Sequence, residues 1–232
     1  RFSVRVWNMN TQAVYELEHV LSGGVLPRSG DFSMPGVLTA GPRIDMRFEA
    51  PGGEQTGAAL PCGPMSFLPE AGLEASLVDI TNPLVLVRAE DLGLPVGATP
   101  EELNVRTEVL DRLEVLRKEA GRHMGLPASA AIPRVSCLDH AEGPHEVGVR
   151  TTSLGVFHHA IPVTAAIALG GASALGGTLL DECADPTPDG DLLISQPQGT
   201  VTTTARASQG RVQSAGIARN ARIVADAVVH PA

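Results

Sequence analysis

The chain opens on alternating polar and apolar residues, Arg1-Phe2-Ser3-Val4-Arg5-Val6-Trp7, and this period of two predicts a strand over 1–8. Met9-Asn10-Thr11-Gln12 reads as a turn, and 13–20 as the strand that pairs back in a hairpin. A Gly/Pro/Ser/Asp loop fills 22–31, after which Arg43-Ile44-Asp45-Met46-Arg47-Phe48 alternates again as a third strand. Pro51-Gly52-Gly53-Glu54 is a turn. The pattern then changes: 75–80 and 84–88 are almost continuously apolar and meet at Thr81-Asn82-Pro83. Strands this apolar are expected to be covered on both faces. The Asn-Pro step is expected to end strand pairing and to expose the Asn82 side chain at a bend.

A period near 3.6 replaces the period of two after residue 99. Thr99 can cap a helix, Pro100 suits its first position, and Glu102 completes a capping box. Leu103, Val109, Leu110, Leu113, Leu116, Ala120 and Met124 continue an apolar stripe, and Gly125 is a stop signal, so one helix is predicted over 99–124. Short strands follow at 134–138 and 146–150. A second helix over 164–175 is rich in Ala and Gly, and no charge occurs from His159 to Leu180. A helix with no polar face is buried on every side. Beyond it, 192–195 and 200–206 read as strands around the turn Gln196-Pro197-Gln198-Gly199, and 217–229 as a closing element that mixes strand and helix.

Composition narrows the classes. Of 232 residues 43% are hydrophobic and 19% charged, ordinary values for a folded chain. Aromatics are only 3%, so the core is aliphatic, while 25 Gly and 18 Pro favour short strands joined by turns. The net charge of −9, without a dense basic patch, argues against nucleic acid as partner. No apolar run reaches the length of a membrane span, and no signal peptide opens the chain. Cys62, Cys137 and Cys183 are odd in number and widely spaced, which disfavours a disulfide framework or a metal cluster and suits a reducing, cytoplasmic setting.

The segment with most chemical content is Arg150-Thr151-Thr152-Ser153-Leu154-Gly155-Val156-Phe157-His158-His159, leading to Thr164. A buried helix start offers free N–H groups and the positive end of a dipole to an anion, and histidines beside it can donate hydrogen bonds or move protons. Two adjacent His at a helix start are also common as plain capping or packing groups, and Asn82 has an equally plain reading as a turn residue. P-loop, dinucleotide and Gly-x-Ser-x-Gly signatures are missing. His158-His159 has no Cys or acidic neighbour at zinc spacing, and His140 and His145 sit in a Gly-Pro-broken loop. Cys62, in Pro61-Cys62-Gly63-Pro64, is either a reactive or a turn-buried thiol.

Several stretches, in order, resemble the 2-methylaconitate cis–trans isomerase family. They are Val4-Arg5-Val6-Trp7-Asn8-Met9-Asn10-Thr11, Pro51-Gly52-Gly53-Glu54-Gln55-Thr56-Gly57 with Leu60-Pro61-Cys62-Gly63, and Ser76-Leu77-Val78-Asp79-Ile80-Thr81-Asn82-Pro83. Arg117 to Met124, Arg150-Thr151-Thr152-Ser153-Leu154-Gly155 with His158, Ala160 and Thr164, and Arg219-Asn220-Ala221-Arg222 complete the set. The resemblance implies an α+β, diaminopimelate epimerase-like fold: a mostly antiparallel, barrel-like sheet around a central buried helix. This chain would hold one full domain plus part of a second, with 1–74 ending the first domain, 75–216 forming the second, and 217–232 closing the chain.

The same resemblance implies a cofactor-independent isomerase that shifts a proton on a small unsaturated di- or tricarboxylate. His158 would be the catalytic residue, and Asn82, Thr81, Ser153, His159 and Thr164 would bind substrate, with no metal. The Asn82-Pro83 step resembles the Gly-Asn-Pro-His step of the epimerase fold, with Thr81 for the Gly and Leu84 for the His. Departures from the family pattern include Gln196-Pro197-Gln198-Gly199 in place of His-Pro-Ser-Gly and the absence of the family's opening Lys- and Cys-bearing segment. That absence makes a companion segment or chain an expected partner, alongside a homodimer. Two other readings stay open: a binding or assembly module without chemistry, and a racemase or epimerase of the same fold.

Overall fold

The computed structural model describes residues 1–9, 13–222, 225, 227 and 228. The opening hairpin forms as its alternation predicts: β1 (Phe2–Asn8) pairs antiparallel with β2 (Ala13–His19), and β2 with β3 (Arg43–Glu49). Residues 10–12 of the expected turn lie outside the described set. Next come β4 (Ser66–Leu68), β5 (Leu73–Ile80) and β6 (Asn82–Arg88), then α1 (Pro100–Leu103) and α2 (Thr107–His123). They are followed by β7 (Arg134–His140), β8 (Glu146–Ser153), β9 (Val156–Phe157), α3 (Val163–Leu175), β10 (Asp191–Gln196), β11 (Gly199–Ser208) and β12 (Arg211–Asn220).

The strands join in one sheet of order β1-β2-β3-β12-β11-β10-β8-β7-β6-β5-β4, with β9 on β8. Pairing is antiparallel except for β6 with β7 and β8 with β10. The sheet is hydrogen-bonded across the expected domain limits, which fall inside β5 and β12. The closing element is strand up to Asn220, residues 221, 222, 225, 227 and 228 carry no regular structure, and the rest of it lies outside the described residues.

Wrapping follows from packing. β5 and β12 lie far apart in the strand order, yet both pack on α3, as do β6, β10 and β11. The sheet therefore curls around α3, whose residues from Ala165 to Ser173 are buried, as the chargeless sequence demands. The β6 strand shows why its segment reads as continuously apolar. Leu84 and Leu86 face the α3 core, while Val85 and Val87 face a second core built on Val109, Leu113, Leu116 and Ala120 of α2.

Two expectations are corrected. The helix predicted over 99–124 is interrupted at 104–106. Thr99 and Glu102 do form the capping box, but the Asn104 carboxamide then donates to the Phe157 carbonyl at 3.0 Å and accepts the Phe157 N–H at 2.7 Å. That exchange with β9 draws the chain out of the helix before α2 restarts it. The second correction concerns Asn82 and Pro83, which do not end strand pairing: Ile80 pairs with Asn82 and Asp79 with Pro83. The bend is one residue earlier, at Thr81, with φ +56°. A proline is tolerated so close to a strand's start because few ladder bonds need its missing N–H.

The β1–β3 ribbon is two-faced. Arg5 with Glu49, Arg47 with Glu16 and Arg1 with Glu18 form a charged ladder on one side. On the other, the pairings align Val4, Leu17, Met46 and Ile217 in an apolar row. That row begins in the α3 core at Ile217 and ends exposed at Val4.

Candidate active site

Four chain segments meet at the N-terminal end of α3. The left-handed bend at Thr81 brings the β5–β6 corner there, and the Thr81 hydroxyl donates to the Thr164 carbonyl at 3.0 Å. Parallel pairing of β6 with β7 sets Arg134 beside Leu84, two residues beyond Asn82. The β8–β9 turn, Leu154-Gly155 with φ +53° and +81°, folds the chain back beyond Ser153 and leads into His158. Positive φ at both central residues is the two-residue turn whose twist suits a hairpin. α3 itself starts at Val163, after Pro162, with no side-chain cap on its first-turn N–H groups.

Arg134 organises the cluster, and sequence reasoning overlooked it. Its guanidinium donates to the Thr164 hydroxyl at 3.1 Å and to the Ser153 hydroxyl at 3.4 Å. Among the described residues no carboxylate pairs with it, and burial works against its charge. Elsewhere Arg88 has Glu182, Glu74 and Asp91, Arg117 has Glu114, and Arg150 has Asp139, while half-buried Arg106 donates to the Gly93 carbonyl at 3.4 Å. A desolvated cation left without a counter-ion is expensive to keep. The available signal in the sequence was a lone Arg at the start of an inner strand.

The expected site residues are partly gathered. Ser153 and Thr164 share Arg134, and each keeps its own hydroxyl proton to donate. Asn82 is half-buried, and its carboxamide has no hydrogen-bond partner among the described residues. His158 is half-buried and anchored by its N–H to the Thr151 carbonyl at 3.0 Å. Desolvation, then the Arg134 and His159 charges, hold its imidazole below the ordinary histidine value, so it is neutral near pH 7. His159 is exposed and makes no side-chain hydrogen bond among the described residues. Thr81 uses its hydroxyl proton on Thr164 and so fixes the corner against α3.

Glu54 adjoins this corner and was not singled out from the sequence. Its carboxyl accepts from the Gly52 N–H at 3.1 Å. Burial, and more weakly the Asp79 charge, raise it above the ordinary carboxylate value. The cysteines stand apart. The Cys62 thiol donates to the His123 carbonyl at 3.3 Å, and burial raises Cys62 and Cys137 and pushes Cys183 up to about 11. These are protonated thiols, poor nucleophiles. Among the described residues no group of His, Cys, Asp and Glu could hold a metal, and no helix is long and apolar enough to cross a membrane.

A groove of about 630 Å³ lies elsewhere, where the 32–35 segment covers β3, β11 and β12. None of the expected site residues lines it, and its Arg43 and Arg47 are engaged by Asp45 and Glu16. The chemistry therefore points to the α3 start, where a cation, free helix N–H groups, two hydroxyls and a neutral imidazole converge.

Comparison with known proteins agrees with this placement of the fold. A 3-methylitaconate isomerase from Eubacterium barkeri is 26% identical over 98% of this chain and 66% of its own length. A 4-oxalomesaconate tautomerase from Pseudomonas putida is 27% identical over 97% of this chain and 63% of its own. The chain thus spans slightly under two thirds of the length of these relatives. The solved structure of a methylitaconate-delta-isomerase superposes with a TM-score of 0.86 over the whole chain and 70% of its own, at 22% identity. A hydroxyproline epimerase from Agrobacterium vitis follows at 0.55 over 95% of this chain and 58% of its own, with 13% identity, in keeping with an epimerase-like fold. The family profile described as PrpF protein matches residues 2–231, and the chain belongs to that family.

Proposed function

We propose that this chain supplies the carboxylate-binding part of an isomerase that shifts a proton on a small unsaturated di- or tricarboxylate, without a cofactor. One observation carries the reading: Arg134 stands without an acid beside the uncapped start of α3. A ligand carboxylate would supply the missing counter-charge, and an Arg fork matches its two oxygens. The relatives' names, an isomerase of methylitaconate and a tautomerase of oxalomesaconate, fit such a ligand.

Removal of a proton next to a conjugated carboxylate leaves a dienolate whose charge spreads onto the carboxylate oxygens. Arg134, the Thr164 and Ser153 hydroxyls and the α3 N–H groups are oriented before the reaction, so they stabilise that charge without reorganising. His158, held neutral, is the proton acceptor on this chain. Asn82 is assigned to a second carboxylate, Thr81 positions the corner, and His159 serves at the outer rim. The remaining proton-moving groups would come from a companion segment or chain.

The test is titration of the chain with cis-aconitate by calorimetry. Native chain is expected to bind, and Arg134→Met to lose at least about tenfold, as for a hydrogen-bonded charge removed from its partner. A native chain that ignores the ligand at millimolar concentration sinks the reading. Exchange of the ligand's allylic protons in D2O then separates an enzyme from a binding module: ligand bound without exchange, even with the companion present, favours the module.

A further inference from the structure

Gln196 closes β10. Leu192, Ile194 and Gln196 alternate onto the inner face, and the first two belong to the α3 core. Gln196 is 7% exposed. Its side-chain carbonyl accepts the Ile161 N–H at 3.2 Å, two residues before α3 begins. Only the oxygen of a carboxamide can accept, so this bond fixes the amide's orientation and turns the NH2 end away from Ile161. That nitrogen is shielded from solvent and has no hydrogen-bond partner among the described residues.

A buried donor left empty costs about 1–3 kcal/mol. An aliphatic residue would fill the same inner position, after Leu192 and Ile194, without that penalty. Residues 160–162 lead from the Gln196 bond directly into the uncapped α3 start, so the idle amide lies within a few residues of the helix N–H groups along the chain. Both favour an anionic oxygen. The Gly36 turn lies against Ala160 and Gln198 at this point.

We infer that the idle Gln196 amide, beside the α3 start, forms a further carboxylate subsite apart from those assigned to Arg134 and Asn82, which favours ligands carrying several carboxylates. The inference rests on the polycarboxylate reading above. A neutral amide donor keeps its protons at every physiological pH, so this subsite holds its ligand without titrating.

Propane-1,2,3-tricarboxylate, saturated and unreactive, is the probe. Gln196→Met keeps the side chain's length and removes the donor, and Gln198→Met, at an exposed neighbour, is the control. The inference expects Gln196→Met to bind the probe about tenfold more weakly or worse, and Gln198→Met to bind as native does. It also expects the Gln196 side-chain amide resonances of the native chain to move on titration, a readout that survives a misfolded variant. Native-like binding by folded Gln196→Met, or stationary amide resonances while others move, overturns the subsite. If Arg134→Met still loses the probe in that case, the polycarboxylate reading stands alone. A native chain that does not bind the probe overturns both.

Discussion

Replacing Gly170 by Ala tests how tightly the sheet is drawn onto α3. A Cβ at this position would lie 2.6 Å from the Thr203 hydroxyl and 3.0 Å from the Thr203 Cβ. Thr203 is 1% exposed on β11 and its hydroxyl faces the Leu192 carbonyl at 3.5 Å, so neither the side chain nor the strand can step aside freely. Helix propensity alone would favour the alanine by about 1 kcal/mol. Overpacking in a filled core costs about 1–3 kcal/mol, and a contact this short at a branched, buried residue belongs at the upper end. The balance is a net loss of about 1–2 kcal/mol, or roughly 2–8 °C in melting temperature for a chain of this size. Urea unfolding followed by circular dichroism measures it, with an unchanged slope showing that the unfolded state is the same. Thr203→Ala in the same chain removes the nearer clash, so the double variant should be more stable than the two single losses predict, by about 1 kcal/mol. A Gly170→Ala chain that is more stable than native, by the propensity gain, would refute the close approach.

Other expectations follow from single contacts. Leu154 is exposed with φ +53°, so Leu154→Asn should stabilise by about 0.5 kcal/mol, and a lower melting temperature would contradict the turn geometry. The Glu119 carboxylate, 2% exposed, accepts the Glu70 and Ala71 N–H groups at 2.9 and 2.8 Å. Glu119→Ala should therefore cost about 3 kcal/mol in urea unfolding, and unchanged stability would dismiss this anchor of α2 to the β4–β5 turn. His158 is held below its ordinary value, so the unfolded chain binds a proton more readily than the folded one. Folding stability should then be unaffected above the ordinary histidine value and fall as pH drops through it. The part of that slope due to His158 should vanish in His158→Gln, and a variant with the native slope would place the imidazole in solvent.

Periodicity carried most of the fold because each element has a clear local reason. The opening alternation becomes the two-faced β1–β3 ribbon, and the chargeless Ala/Gly run becomes α3, buried all round. The break in the first helix was not legible, because it depends on Asn104 meeting the Phe157 backbone more than fifty residues away. The bend at Thr81 was misplaced by one residue for a related reason: Asn-Pro is the stronger local signal, but the contact of Thr81 with α3 decides where the chain turns. At the site, Ser153, His158 and Thr164 could be read from their place around a helix start. Arg134 could not, since what singles it out is the lack of a paired carboxylate among the described residues, and no sequence pattern records an unpaired charge. Gln196 was noticed only as a departure from a family pattern, because an idle amide is visible only when its neighbours are placed.

The apolar row from Ile217 to Val4 has a kinetic consequence. Strands resist transient opening in proportion to the cover they would lose, and cover falls steadily along this row, from the α3 core to a residue 37% exposed. Backbone amides of β1 and β2 should therefore trade hydrogen for deuterium first, while those of β6, enclosed between two cores, exchange only when the whole chain unfolds. The ribbon would behave as a separate cooperative unit, able to come away from the sheet while the α3 start keeps its shape.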